Sequence, residues 1–141
     1  MSDDFTGIIK TLLKGVIICK QNGEHLMDFV LDSEINPIHL SSFAGALSLG
    51  NHRDLGRKLI SEKLGKDTDI TIVKRHGLLL IALMSSDFSQ KKIRSEAEKV
   101  LDMFNNLYKN ELDGCVDVSR LASFRKILKA HLMDYFEKKT Q

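Results

Sequence analysis

The chain has 141 residues, the usual size of one domain and enough for a single hydrophobic core built from a sheet and helices. Its composition, 43% hydrophobic and 28% charged with a single proline, is that of an ordinary globular protein and argues against a disordered chain. The net charge of +2 is too small to indicate nucleic acid or a membrane surface as a partner, because such binding needs clustered cations.

Cysteine spacing and the start of the chain bear on its compartment. Cys19 lies in an apolar run and Cys115 in a polar one, and they form neither a CxxC pair nor a zinc pattern, so we expect free thiols. The first residues lack the basic and apolar stretches of a signal peptide. No segment reaches the roughly 20 apolar residues of a spanning helix. We therefore expect a cytoplasmic protein without a transmembrane segment.

Apolar residues at helical spacing near the start predict an N-terminal helix over residues 1–14. Two strands follow, at residues 14–19 and 25–31, and the Asn22-Gly23 pair between them predicts a tight hairpin because it accepts a positive φ. Asp28 in the second strand predicts that one face of this strand reaches water, as expected for an edge strand. That face carries Leu26, Asp28 and Val30.

Asn36 followed by Pro37 predicts the start of a helix, with asparagine as the N-cap and proline in the first turn. Ile38 lies off the main apolar stripe, which leaves the helix unusually apolar for a surface position. Such a helix is either buried under other helices or meets a partner protein. The residues of the main stripe are Leu40, Phe43, Ala44 and Leu47.

The next segment is polar and rich in turn residues, so we predict a loop over residues 50–56 that carries Arg53. Residues 57–64 fit either a strand or a helix. We predict a strand, because a turn follows and leads into a clear β segment at residues 69–74. Alternation on the predicted strand places together Leu59, Ser61 and Lys63.

A second tight turn, containing Arg75 and Gly77, leads into residues 78–84. This segment and the first strand are almost continuously apolar, which predicts the two central strands of a sheet. Residues 15–84 are thus expected to form a sheet with an inserted helix.

Helical periodicity predicts two C-terminal helices over residues 86–137. The first has an apolar stripe of Ile93, Ala97, Val100, Leu101, Phe104, Leu107, Tyr108 and Leu112. The second, with Ser119 as a predicted cap, carries Leu121, Phe124, Ile127, Leu128, Leu132 and Tyr135 on one side. The predicted fold class is α/β (α+β): one domain, residues 1–141, with a five-stranded, mostly antiparallel sheet and helices on both faces.

No pattern in the sequence predicts catalysis. The glycines form no phosphate-binding loop and no nucleophile elbow is present. The histidines lack partners at metal-ligand spacing, and we expect each to be an ordinary surface or boundary residue. They are His25, His39, His52, His76 and His131. We expect no enzymatic activity, no cofactor, no metal and no nucleic-acid partner.

The order of helix, two strands, helix, three strands and two helices resembles the longin and roadblock group of SNARE-like, profilin-like domains. The C-terminal part is similar to archaeal longin-like proteins. Together these similarities cover most of the chain. The segments that carry the resemblance are residues 14–24, the helix from Pro37, residues 70–86, 97–112, 116–119 and 124–127.

The resemblance implies a profilin-like α/β/α sandwich that does no chemistry itself. Domains of this group commonly dimerise and act as platforms for small Ras-like GTPases or for trafficking and motility assemblies. We therefore expect a homodimer, or a heterodimer with a related domain, with peripheral membrane association only through partners. The expected partner-binding residues are Phe43, Leu47, Arg53, Leu59, Ser61, Lys63 and Arg75.

The alternative is a small-ligand-sensing regulatory domain of the PAS or profilin kind, which holds a molecule against its sheet. An apolar pocket with a few converging polar groups would favour ligand sensing. A fully packed core would favour the interaction module.

Overall fold

A computed structural model describes residues 13–30, 36, 38, 40–41, 68–85, 90–112 and 118–140, and the structural statements below concern these residues. The strands are β1 (Leu13–Lys20), β2 (His25–Val30), β3 (Thr68–Arg75) and β4 (Leu78–Ser85). The helices are α1 (Gln90–Leu112), α2 (Val118–Leu121) and α3 (Phe124–Thr140).

The described strands form one antiparallel sheet in the order β2-β1-β4-β3. The predicted α+β class and antiparallel sheet are confirmed for four strands. The predicted fifth strand, residues 57–64, lies outside the described residues. The first strand begins at Leu13, so residues 13 and 14 belong to β1 and not to the predicted N-terminal helix; residues 1–12 lie outside the described part.

Two tight turns close the hairpins where the glycines predict them. Gly23 has a φ of 96°, and Gly77 has a φ of 72° beside His76 at 58°. The Gln21 amide donates to the Gly77 carbonyl oxygen at 3.1 Å, so the two turns lie side by side at one end of the sheet.

The central strands β1 and β4 are buried on both faces, which explains why their sequences are almost continuously apolar. Their predicted position at the sheet centre is confirmed. One face packs against α1 and α3 through Leu13, Val16, Ile18, Leu80, Ala82 and Met84. The opposite face carries a second cluster of Ile17, Cys19, Ile70, Leu79, Ile81 and Leu83.

The edge strand β2 departs from the predicted alternation at Leu26. Ile18 pairs with Met27 and Cys19 pairs with His25, so Leu26 is an extra residue in β2. Such a bulge turns two successive side chains toward one side. Leu26 and Met27 accordingly both join the core beneath α1 and α3.

A helical turn after Asn36 lies against the second face of the sheet. The Asn36 side-chain oxygen accepts a hydrogen bond from the Ile38 amide at 3.0 Å, which confirms the predicted N-cap. Leu40 packs against the second cluster and Ser41 is fully buried, with a side-chain hydrogen bond to Cys19. Ile38 is 62% exposed, in agreement with its predicted position off the stripe.

The C-terminal helices differ from expectation in three details. Ser119 lies inside the short helix α2, and a turn separates that helix from α3. Leu107 and Ile127, predicted on the apolar stripes, are exposed. Leu107 lies at the edge of its stripe, next to the break in helical geometry at Tyr108. No helix among the described residues is long and apolar enough to cross a membrane.

Candidate functional site

Arg75, the one predicted partner-binding residue that the structure describes, ends β3 at the β3–β4 turn. Its Nε donates to Asp102 Oδ1 at 2.7 Å, and its Nη1 donates to Glu98 Oε2 at 3.2 Å. His76 Nε2 lies 2.6 Å from the same Asp102 oxygen. We call Arg75, His76, Glu98 and Asp102 the hairpin-tip cluster.

The hairpin-tip cluster connects the turn to α1. The hydrogen bond from His76, with the hydrogen bond and charge of Arg75, holds the pKa of Asp102 below its usual range. His76 occupies the left-handed region, which is costly for a residue with a Cβ, and its bond to Asp102 offsets part of that cost. Arg75 therefore links hairpin and helix, although 43% of its side chain remains exposed.

The other predicted partner-binding residues lie outside the described part of the chain, and their predicted role stays a prediction. They are Phe43, Leu47, Arg53, Leu59, Ser61 and Lys63.

A second candidate site is a cavity of about 40 Å³ between the sheet and the helices α1 and α3. We call it the interhelical cavity. Its wall is almost entirely apolar. Among the residues that line it are Val16, Ala82, Ala97, Val100, Leu128 and Leu132.

Polar groups converge at one side of the interhelical cavity. His131 Nε2 of α3 lies 2.9 Å from Glu96 Oε2 of α1, and Lys99 Nζ lies 3.2 Å from the other Glu96 oxygen. Burial raises the pKa of Tyr135, and the negative charge of Glu96 raises it further. The His131 and Glu96 side chains are 25% and 24% exposed, so the pair lines the cavity and also reaches solvent.

Arg125 binds one residue of β2, the edge strand of the described sheet. Its Nε donates to the Asp28 main-chain oxygen at 3.0 Å, and its Nη2 lies 3.5 Å from Asp28 Oδ1. Asp28 also pairs with His25 at 2.8 Å. A guanidinium group on an edge carbonyl blocks that position to an incoming strand.

Within the described residues, no group of three or more His, Cys, Asp or Glu side chains could hold a metal ion. No family model matches the chain, and no curated protein matches it significantly.

Sequence reasoning missed the partners of Arg75, His131 and Asp28. These pairs join positions separated by 27, 35 and 97 residues, a distance at which one sequence gives no pairing signal. One local signal was present. Glu98 and Asp102 are four residues apart, so they share one face of a helix, where two carboxylates favour a basic partner.

Proposed function

We propose that this chain is a non-enzymatic protein-interaction module of the cytoplasm, a dimeric platform that binds a small Ras-like GTPase or a trafficking or motility assembly. The proposal follows from the longin and roadblock resemblance. The described residues contain the first strand pair, the helical turn after Asn36, two of the three later strands and the C-terminal helices of that order, which supports the proposal. The first helix and the strand at residues 57–64 lie outside the described residues.

The observation that carries the proposal is the bracing of the hairpin tip. An arginine finger must reach into a partner's active site, whereas Arg75 bonds two carboxylates of its own chain. A braced tip presents a surface of fixed shape. Such a surface can affect nucleotide turnover by preferring one conformation of the GTPase switch segments.

The proposed dimer uses the side of the sheet away from β2. Arg125 blocks one position of the β2 edge, which favours the β3 side for the predicted fifth strand and for a partner. We therefore propose that the domain is a five-stranded α/β/α sandwich. Its partner contacts come from residues 57–64, including Leu59, Ser61 and Lys63, and from Phe43 and Leu47.

The GTPase part is tested with a Ras-like GTPase that co-purifies with the protein from its native cell. Hydrolysis and nucleotide release are measured with wild type, Arg75→Ala and Arg53→Ala, and with Lys74→Ala as a control that removes an exposed neighbouring cation. We expect each variant to change turnover by less than about tenfold. A loss of about a thousandfold on removing one arginine is the scale of a missing finger and would overturn the non-catalytic proposal.

Failure to bind any Ras-like GTPase of that cell would remove the GTPase as partner. The dimer is tested separately by light scattering at tens of micromolar protein, roughly mid-range for such contacts. We expect twice the chain mass of 15.9 kDa. A monomer mass would contradict the dimer.

Ligand sensing remains a second candidate because the interhelical cavity places Glu96, His131 and Tyr135 beside an apolar wall. Its volume of about 40 Å³ holds only a few water-sized molecules. Sites for drug-sized ligands have roughly 300 to 1,000 Å³. The cavity as it stands is therefore too small for a typical metabolite, which is a reason to propose the interaction module before ligand sensing.

A further inference from the structure

The two halves of α3 are packed differently. In the first half Phe124 and Leu128 are fully buried, and the Phe124 ring contacts Phe104 edge-on with centroids 5.1 Å apart. From His131 onward the inward-facing side chains, including Leu132 and Tyr135, are only half-buried. Segments with few buried apolar contacts open at lower free energy than the core.

The interhelical cavity extends under this loosely packed half. On the α3 side it is lined from Leu128 through Leu132 to Tyr135, and on the opposite side by Ala82 and Ala97. Its wall offers almost no polar group inside, so an apolar occupant is favoured over ordered water. A charged occupant would lose its hydration without compensation.

The His131–Glu96 bridge joins α3 to α1 at the rim of the cavity, with solvent on its outer side. Among the described residues, the charged and titratable groups that face it are Lys99 of α1 and Tyr135 of α3. A partly exposed bridge of this kind contributes little stability. Breaking it therefore leaves the core around Phe124 and Leu128 intact.

We propose that the interhelical cavity is a binding site for compact, uncharged apolar molecules, and that residues 131–135 form a lid that opens when the His131–Glu96 bridge breaks. The proposal rests on the ligand-binding candidate and not on protein binding, so its failure leaves the interaction module untouched. With the lid closed, the cavity holds a molecule of only a few atoms. With the lid displaced, it holds a molecule the size of one aromatic ring.

The site is tested by titrating the full chain with xenon or with benzene. Binding is monitored through the methyl NMR signals of Val16, Leu128 and Leu132. We expect saturable shifts with both probes. Ala97→Val fills the cavity and should weaken binding at least tenfold. Ala130→Val, on the exposed face of α3, carries the same helix-propensity cost and should leave binding unchanged.

The lid is tested by amide hydrogen exchange. A cavity of roughly 150 Å³ takes benzene, so benzene must displace the lid of this smaller cavity. We expect benzene, or Glu96→Ala without ligand, to speed exchange at residues 131–135 severalfold while residues 124–128 stay protected. Absence of saturable binding, or binding that Ala97→Val leaves unchanged, would overturn the site. If xenon binds but benzene does not, and Glu96→Ala leaves amide exchange at residues 131–135 unaltered, the cavity is a fixed packing void and the proposed lid is wrong.

Discussion

Cys19 is a thiol whose chemistry is set by its place in the fold. It lies in the second core cluster with none of its surface exposed. Burial raises the pKa of Cys19 to about 11, while its hydrogen bond with Ser41 lowers the pKa by a smaller amount. The thiolate is the reactive form, so at neutral pH this side chain behaves as a small apolar core residue.

We predict that Cys19 resists alkylation in the native protein at pH 8. The Cys19 peptide, quantified by mass spectrometry after iodoacetamide treatment, should remain mostly unmodified until a denaturant is added. The denatured sample is the control for reagent activity. Rapid native labelling of this peptide would show that the sheet face opens readily.

The raised pKa of Cys19 also affects stability at high pH. The folded pKa, about 11, lies above the ordinary 9.0, so the protonated thiol's contribution to stability is complete below pH 9 and is lost as pH rises through 11.

One carboxylate of α1 joins that helix to the tip of the β3–β4 hairpin. Asp102 accepts from both Arg75 and His76, and its pKa is lowered. A carboxylate with a lowered folded pKa stabilises the fold above its unfolded pKa, about 3.9. That contribution is lost as pH falls through the folded value.

We predict that Asp102→Asn lowers the melting temperature at pH 7, and that the difference from wild type shrinks as pH falls below about 4, near the ordinary Asp pKa. Thermal unfolding followed by circular dichroism between pH 7 and pH 2 measures this. A difference that stays constant over the whole range would mean that the charge of Asp102 does not hold the hairpin.

The helix α3 is anchored by its first two turns, and two neighbouring residues test this. Leu128 is fully buried and Ile127 is exposed. Leu128→Ala should cost about 2 to 5 kcal/mol of unfolding free energy, the range for a buried leucine. Ile127→Ala should stay within about 0.5 kcal/mol, as at ordinary surface positions. Urea unfolding measures both.

Removing residues 121–141 should destabilise the domain more than Leu128→Ala does, because it also removes the buried side chains of Leu121 and Phe124. An unchanged melting temperature after truncation would instead identify a detachable arm.

On the scale of the whole molecule, the sequence predicted what local physics controls. Continuous apolar runs predicted the central strands, and Gly23 and Gly77 predicted the turns. What it could not predict depends on tertiary context. The sheet accommodates the extra residue Leu26 because its side chain packs into the core under the helices. The break at Tyr108 accompanies a hydrogen bond of 2.8 Å between the Tyr108 hydroxyl and the hydroxyl of Ser123, in the turn between α2 and α3.

The layering of the molecule also depends on what covers the second sheet face. Leu40 contacts the second cluster, whereas Ile38, two residues earlier in the same helical turn, points largely into solvent. If the helical turn after Asn36 belongs to the third layer of an α/β/α sandwich, the Leu40 side chain must contribute more to stability than the Ile38 side chain.

We therefore predict that Leu40→Ala lowers the free energy of unfolding by about 1 to 2 kcal/mol, the scale for a partly buried leucine. Ile38→Ala should have an effect within about 0.5 kcal/mol, although it removes a side chain of equal size. Both variants keep the Asn36 cap and raise helix propensity slightly, so the difference between them isolates packing on the sheet. Equal effects in urea unfolding would mean that the turn does not cover this face in solution, and the α/β/α layering would then lack its third layer.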